Sequence, residues 1–294
     1  MEYQPGQLRL TFHASRFTPH VSRCLVRLTI LTPSFQQAAF LEEALRSVLD
    51  QGYPELEYFV LDGGSTDGSL EIIRRHAGQL AGWVSEPDGG QAAALHKGLA
   101  LANGEAVAWL NSDDAYLPGV FAPRLDYLAA HPEAVAVFGD VQLVDESGAS
   151  LGEWRGFGTQ ATTRSLLLDG LTIPQPSAFI RASALRAVGG FDADLRYVFD
   201  VALWLRLSLL GELHYLPGAV ARFRYHAASK TVVAGERFYL ELQDWLERWP
   251  SLPQVLSADE TAEMFRRLRT GAALECLLEG DETGAARHFA AALA

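Results

Sequence analysis

The sequence predicts an α/β fold: a Rossmann-like, mostly parallel sheet flanked by helices, with a helical appendage at the C-terminal end. Three observations carry this. Short apolar runs alternate with helical periodicity between residues 25 and 110, the pattern of successive βαβ units. Each run closes in a polar turn rich in Gly, Asp or Ser. From Gly235 onward only helical periodicity remains.

The elements follow in order. Residues 25–31 are apolar on both faces, as a strand buried in a parallel sheet is, and Thr32-Pro33-Ser34 breaks them. Residues 39–50 form a helix, with Leu41, Leu45 and Val48 at helical spacing. A strand over 56–61 runs into the turn Asp62-Gly63-Gly64-Ser65-Thr66-Asp67-Gly68, and a helix follows over 69–76. The cycle repeats as strand 82–85, loop Glu86 to Gly90, helix 91–102 and strand 106–110, which ends in Asn111-Ser112-Asp113-Asp114. After Pro118 the pattern is less regular. Helix 120–131, strand 134–138, strand 177–180, helix 200–210 and one or two strands over 214–225, broken at Pro217-Gly218, are expected. Residues 235–294 read as the helical appendage, and their last two helices resemble a single tetratricopeptide-type hairpin. Residues 1–27 read as a loose arm and residues 28–232 as the main domain.

Composition narrows the function. The 294 residues are 49% hydrophobic and 20% charged, enough for one large core and against wholesale disorder. A net charge of -12 argues against nucleic-acid binding, which needs clustered Lys and Arg. A phosphorylated small molecule remains compatible if a divalent cation supplies the positive charge. No apolar run reaches the roughly 18 residues of a membrane span, and no secretory signal precedes the domain. Cys24 and Cys276 stand far apart with no metal spacing, which fits a reducing compartment. A cytoplasmic protein is expected, with peripheral association at the inner face of the membrane compatible.

In open α/β sheets ligands bind beyond the carboxyl ends of the strands, where each polar turn above is placed. Asp113 and Asp114 follow directly on an apolar strand, and two adjacent carboxylates cannot both enter the core without large cost. Facing the crevice, they make a hard oxygen site suited to Mg²⁺ or Mn²⁺. Ser112 or Asp113 serving only as a helix N-cap is the competing reading. In the turn after the second strand, Asp62 is placed as a ligand candidate, while Ser65 and Asp67 read as caps of the next helix.

These residues carry a resemblance. Leu31-Thr32-Pro33-Ser34-Phe35, then Leu61-Asp62-Gly63-Gly64-Ser65-Thr66-Asp67-Gly68, then Ser85-Glu86-Pro87-Asp88-Gly89-Gly90-Gln91 with Lys97-Gly98, then Trp109-Leu110-Asn111-Ser112-Asp113-Asp114 resemble family 2 glycosyltransferases of the GT-A fold. Gly189-Gly190-Phe191-Asp192, the segment Asp200 to Arg206, and Arg224-Tyr225-His226 with Ser229 extend the likeness to about Thr231. The resemblance implies an inverting, non-processive transfer from a UDP-, dTDP- or GDP-sugar to a carbohydrate or lipid-linked hydroxyl, in cell-surface polysaccharide or glycoconjugate synthesis, with Mn²⁺ or Mg²⁺ as cofactor. It implies that Thr32 and Pro33 line the nucleoside pocket, that Asp62 and Gly63 face the base, and that Asp88 and Lys97 border the nucleotide. Of Asp113 and Asp114, one is to hold the metal and the other the ribose or sugar. His226 is placed to complete the metal site, and Asp200 to act as general base, with Asp192 and Asp194 behind it.

Three positions depart from the family pattern. Asn111 stands where the first aspartate of a D-x-D often stands, Gly63 where a second acid can read a pyrimidine, and Phe199 where a Glu often precedes the base. These losses keep open a non-catalytic nucleotide-sugar-binding protein of the same fold. A sugar-nucleotide nucleotidyltransferase would need a Gly-rich basic loop after the first strand, where this chain has Thr32-Pro33-Ser34-Phe35-Gln36-Gln37. The run Gln243 to Trp249 faintly echoes the Q-x-x-R-W motif of processive synthases but has Leu246 at the fourth place, and reads as the packing face of an amphipathic helix. Residues 156–176 are the expected acceptor loops.

Overall fold

The computed structural model describes residues 25–156, 160–170 and 173–293. Most of the expected N-terminal arm, Cys24 included, and parts of the expected acceptor loops lie outside the described residues. A parallel half-sheet runs in the order β3-β2-β1-β4, from β1 (Leu28–Ser34), β2 (Leu56–Asp62), β3 (Gly82–Ser85) and β4 (Ala106–Trp109). Helices α1 (Ala38–Leu49), α2 (Ser69–His76) and α3 (Gln91–Leu101) are the crossovers. β1 starts and ends three residues later than expected, and it runs through Pro33. Leu31 carbonyl accepts from Leu110 N–H on the β4 side, and Pro33, two residues on, faces the same side beyond the last pair, Leu31 with Trp109. Its missing N–H therefore breaks no ladder bond.

The second half is mixed. β5 (Ala115–Tyr116), α4 (Phe121–Ala130), β6 (Ala134–Val144), β7 (Ser150–Trp154), β8 (Gln160–Ala161), α5 (Thr163–Leu168), β9 (Phe179–Arg181), α6 (Ala182–Ala187), α7 (Phe199–Leu210) and β10 (Glu212–Arg224) complete the sheet in the order β4-β9-β6-β10-β5. β9 is antiparallel to both β4 and β6, while β10 is parallel to β6. Pro217-Gly218 does not end β10 but bulges it, between the pairs Tyr215 with Phe138 and Ala219 with Asp140. Asp140 stitches the bulge: its carboxylate accepts from Gly218 N–H at 3.0 Å, Tyr215 hydroxyl at 2.7 Å and Gly156 N–H at 2.9 Å.

Apolar clusters cover both faces of the sheet. One joins the strands to Leu41, Leu45 and Val48 of α1, Ile73 of α2 and Leu125 of α4. The other joins them to α3 and α7 and continues without a break into Leu242, Leu246, Leu252 and Met264 of the appendage. The appendage is α8 (Lys230–Ala234), α9 (Glu236–Arg248), α10 (Leu252–Val255), α11 (Ala258–Leu278) and α12 (Glu282–Leu293). A capping box between Ser257 and Glu260 opens α11. Gly280, at φ 81, closes it in a Schellman turn, with Gly280 N–H on Leu277 carbonyl and Asp281 N–H on Cys276 carbonyl. The echo at Gln243 to Trp249 lies on α9, where Leu242 and Leu246 are buried and Trp245 stacks on Trp249. Among the described residues no helix is long and apolar enough to cross a membrane.

Gly104 sets the close approach of the α3–β4 connection to β1. A Cβ there would stand 2.7 Å from both Thr29 N and Ala106 carbonyl oxygen, which only backbone movement relieves. Gly104→Ala is expected to cost about 1–3 kcal/mol, read as a lower denaturation midpoint; an unchanged midpoint contradicts this packing.

Candidate active site

The carboxyl ends of β1 to β4 open on a cavity of about 980 Å³. A smaller cavity of about 330 Å³ adjoins it, and Gln91, Asn111, Tyr197, Phe223 and Lys230 line both.

The turn after β4 separates two adjacent aspartates into two environments. Asp114 is 3% exposed, and its Oδ1 accepts from Arg224 N–H at 2.9 Å. Burial, then the neighbouring Asp113 charge, pushes its carboxyl pKa well up, against the Arg224 N–H bond and charge. Asp113 is more open, and its Oδ2 lies 3.0 Å from His226 Nε2. The His226 ring packs on Phe40 with centroids 5.0 Å apart.

Arg224 holds this turn. Its Nε donates to Asp113 carbonyl at 2.9 Å, its Nη1 to the carbonyls of Asp145 and Glu146 at 3.2 and 3.0 Å, and its Nη2 to Glu43 Oε2 at 2.7 Å. Behind the turn runs a chain of amides. Lys230 Nζ donates to Gln91 Oε1 at 3.0 Å, Gln91 Nε2 to Asn111 Oδ1, Asn111 Nδ2 to Gln175 Oε1 at 3.0 Å, and Gln175 Nε2 to Trp109 carbonyl at 2.9 Å.

The Asp113 carboxylate lines the large cavity, and the His226 imidazole is buried behind it, its side chain 5% exposed; carboxylate oxygen and imidazole nitrogen are donors that could hold Mn²⁺ or Mg²⁺. The hydroxyls of Ser34 and Ser229 add to the fit. Both line the large cavity, are buried, and have no hydrogen-bond partner among the described residues.

Asp200 lines the small cavity in the first turn of α7, its Oδ1 accepting from Val201 N–H at 2.9 Å. Burial raises its pKa, while Val201 N–H and the Lys230 charge oppose the rise. Burial in turn pulls the Lys230 ammonium down to about 8, against the attraction of Asp200. Phe199, the departure beside Asp200, carries that ammonium 5.1 Å from its ring centroid and packs on Trp109. Glu241 of α9 fixes the start of α7, accepting from the N–H groups of Arg196, Tyr197 and Val198 at 2.8, 2.6 and 3.0 Å.

The remaining expected residues divide. Pro33, Gly63 and Asp88 line the large cavity with Asp113 and Asp114. A Cβ at Gly63 would lie 3.2 Å from Asp88 Oδ2, so Asp88 stands over the position where the family's second acid is missing. Three residues lie off the wall. Thr32 is fully buried and shares a 2.9 Å hydrogen bond with Tyr58 hydroxyl. Asp62 folds back into its own turn, accepting from Ser65 N–H at 2.9 Å, Ser65 Oγ at 2.5 Å and Ser85 Oγ at 2.6 Å. Lys97 pairs with Glu86 at the surface. Neither Ser65 nor Asp67 is the N-cap of α2, which is Gly68: Ser65 donates to Asp62 and accepts from Gln36 N–H, while Asp67, one residue before the cap, accepts from Ser69 N–H and from Ala38 N–H at the start of α1. Asp194 stands exposed in the wall of the large cavity; Asp192 is set back, accepting from Asp194 N–H at 3.3 Å. The sequence reading missed Gln91, Gln175, Lys230 and Glu241 as site residues. Only Lys230 carried a signal, a lone cation directly after Ser229.

The sheet order and the crevice at its strand ends define a GT-A-type α/β protein. Residues 29–189 match glycosyl transferase family 2. The chain belongs to that family and is a glycosyltransferase by class. It is 25% identical over 243 residues to an uncharacterized glycosyltransferase of Rickettsia prowazekii, covering 79% of this chain and 73% of the relative. It is 30% identical over 189 residues to an uncharacterized glycosyltransferase of Mycobacterium tuberculosis, covering 63% of this chain and 70% of the relative. A Rickettsia conorii relative is matched over only 34% of its own length. Two solved structures share the fold. Staphylococcus aureus TarS (residues 1–349, with UDP-GlcNAc) aligns at TM-score 0.63 and 15% identity, over 90% of this chain and 89% of that one. The mannosyltransferase PcManGT of Pyrobaculum calidifontis (with GDP-Man and Mn²⁺) aligns at TM-score 0.60 and 21% identity, over 91% and 80%.

Arg224→Met keeps aliphatic bulk but strips donors from the carbonyls of Asp113, Asp145 and Glu146. A loss of about 2–4 kcal/mol is expected, read as a lower midpoint at unchanged m-value. Arg224→Lys should recover only part of it, because an ammonium does not reproduce the guanidinium fork. Wild-type stability in Arg224→Met contradicts the clamp.

Proposed function

We propose that this chain transfers a sugar from a nucleoside-diphosphate donor to an acceptor hydroxyl, with inversion and without processivity. One observation carries the reading: a cavity lined by Asp113, which His226 backs at 3.0 Å, adjoins one lined by Asp200, across a shared wall. Donor and acceptor then meet at that wall. The nucleotide-sugar complexes of TarS and PcManGT support the donor class. The Mn²⁺ bound to PcManGT supports a divalent cation here.

The diphosphate lies against Asp113, His226 and the hydroxyls of Ser34 and Ser229. Asp113 and His226 would hold Mn²⁺ or Mg²⁺, which when bound would supply positive charge against the leaving diphosphate. Asp88, above Gly63, takes the place of the missing acid beside the base. In the smaller cavity Asp200 accepts the proton of the attacking hydroxyl, and its raised pKa makes it a stronger base than an exposed carboxylate. Lys230 balances charge between the two cavities. Trp154, Trp204, Phe238 and Tyr239 line the acceptor side with rings suited to sugar faces. A saccharide acceptor also fits a shorter likeness, 31% over 104 residues, to the putative teichuronic acid biosynthesis glycosyltransferase TuaG of Bacillus subtilis.

The test begins with binding. A nucleoside diphosphate should raise the melting temperature more with Mn²⁺ than without it, and Asp113→Ala should abolish the Mn²⁺-dependent part. A shift that survives that change moves the metal elsewhere. Asp200→Asn should retain this binding and lose transfer by roughly 10²–10⁴-fold. Near-normal transfer, as expected of a mere helix cap, removes Asp200 from the chemistry.

The pH profile gives a separate check. Asp200 must be ionised, so transfer falls as pH drops through its pKa, which burial raises. Lys230 must be charged, so transfer also falls as pH rises through about 8. Lys230→Met should erase the alkaline limb. It should also move the acid limb upward, since the cation that holds Asp200 down is gone. An unchanged acid limb in that variant contradicts the coupling.

A further inference from the structure

Three side chains from separate helices converge in the appendage, outside both cavities. Glu236 opens α9, Cys276 lies near the end of α11, and His288 lies in α12. The Schellman turn at Gly280 folds α12 back on α11 and brings the last two together. Their ligand atoms all lie within 4.8 Å of one another. Glu236 Oε2 is the shared point, 2.8 Å from His288 Nε2 and 3.2 Å from Cys276 Sγ. Cys276 is 1% exposed and His288 7%. A Cβ at Gly284 would strike both Asp281 Oδ2 and Cys276 Sγ, so glycine there keeps the thiol side of the cluster open. The Asp281 carboxylate accepts from Gly284 N–H at 2.9 Å, at the start of α12.

We propose that Glu236, Cys276 and His288 form a structural Zn²⁺ site that fastens the C-terminal helices to the segment bordering the crevice, with water in the fourth position. One sulfur, one imidazole nitrogen and one carboxylate oxygen are donors that Zn²⁺ accepts together in tetrahedral geometry. The thiolate selects against Mg²⁺ and Ca²⁺, so this site does not compete for the donor-side cation. On binding, the thiol proton leaves to solvent and the sulfur–metal bond replaces it. Thiolate, carboxylate and neutral imidazole then balance the 2+ charge. Without a metal, His288 at 2.8 Å and the Arg287 guanidinium at 3.9 Å pair with Glu236, and the thiol adds only a weak donor.

The position gives the site a consequence. Glu236 directly follows Gly235, and α8 before it carries Lys230 and Ala234 in the cavity wall. Five residues on, Glu241 holds the start of α7 and hence Asp200. A metal at Glu236 anchors both.

The test uses the chelator-treated, full-length chain and Co²⁺ as a spectroscopic substitute. Wild type should show thiolate-to-cobalt charge-transfer absorption at one equivalent, displaced by Zn²⁺. Cys276→Ser should abolish the band, and Cys24→Ser and Asp113→Ala should retain it. The cluster His131, Glu133 and His214 holds no sulfur and cannot produce it. His288→Ala should weaken Zn²⁺ binding by at least the roughly 10–100-fold that loss of even an outer partner costs. In wild type Zn²⁺ should raise the melting temperature, and a chain that melts identically with and without it carries no such site. No band in wild type, or a band that survives Cys276→Ser, overturns the proposal. Should Cys276→Ser fail to fold, the wild-type band and the His288→Ala affinity decide.

Discussion

The Arg224 guanidinium joins the three chain segments on which the crevice depends. It reaches the turn after β4, the turn after β6 and helix α1, while the backbone N–H of Arg224 holds Asp114. Charge is the smaller part of this. Arg224 is 4% exposed, but its partner Glu43 is 44% exposed at the side chain, so water screens the pair. The bonds to the carbonyls of Asp113, Asp145 and Glu146 contribute beside it, since each is a charge-assisted bond from a buried guanidinium that would otherwise leave its own donors unpaired. With Asp114 drawn into the sheet, the chain direction at the turn leaves Asp113 facing His226. Two adjacent and chemically identical residues thus take different roles through backbone geometry alone.

That constraint accounts for Asn111. Asp113 and Asp114 already crowd two carboxylates into one turn, and the burial of Asp114 makes a third costly. An amide at 111 adds no charge. It also donates to Gln175 while accepting from Gln91, which a carboxylate cannot do. The departure from D-x-D therefore belongs with Gln91 and Gln175 as one network. Phe199 is similar. An acid there would lie in the cluster of Trp109, Phe191 and Trp204, whereas the ring packs into it and supports the Lys230 ammonium.

Periodicity made the parallel half of the sheet legible, since its strands are buried on both faces and its crossover helices are amphipathic. Asp113 was legible for the same reason: a carboxylate directly after an apolar strand has few places to go. Asp62 obeys the same rule yet turns inward, because the serines at 65 and 85 supply the donors that make its burial tolerable. Those bonds depend on β2 and β3 lying side by side, which spacing does not report. β7 shows no alternation because it is an exposed edge, and β10 survives Pro217-Gly218 only because Asp140 repairs the bulge. Glu241 was illegible for another reason. It reads as one more charge on a surface helix until the packing of α9 brings it to the start of α7.

The distribution of charge around the large cavity explains how a chain of net charge -12 can hold a diphosphate. Asp88, Asp113, Asp114 and Asp194 line it, and so do Arg196, Arg224, Lys230 and Arg237. The count balances locally, so net charge is the wrong measure of the site. The groups are also sorted. Three of the four carboxylates come from the ends of the parallel strands, and all four cations come from the chain beyond residue 195. On the proposed reading, the acidic wall would need a metal to face phosphate, while the basic wall would need none. A donor held between them would neutralise both, and its binding energy would then favour the arrangement in which α8 and the start of α7 stand against the strand ends. Lys230 lines both cavities and Asp200 the smaller one. Occupancy of the donor side would then reach Asp200 through Lys230 by electrostatics, without any contact between Asp200 and the nucleotide.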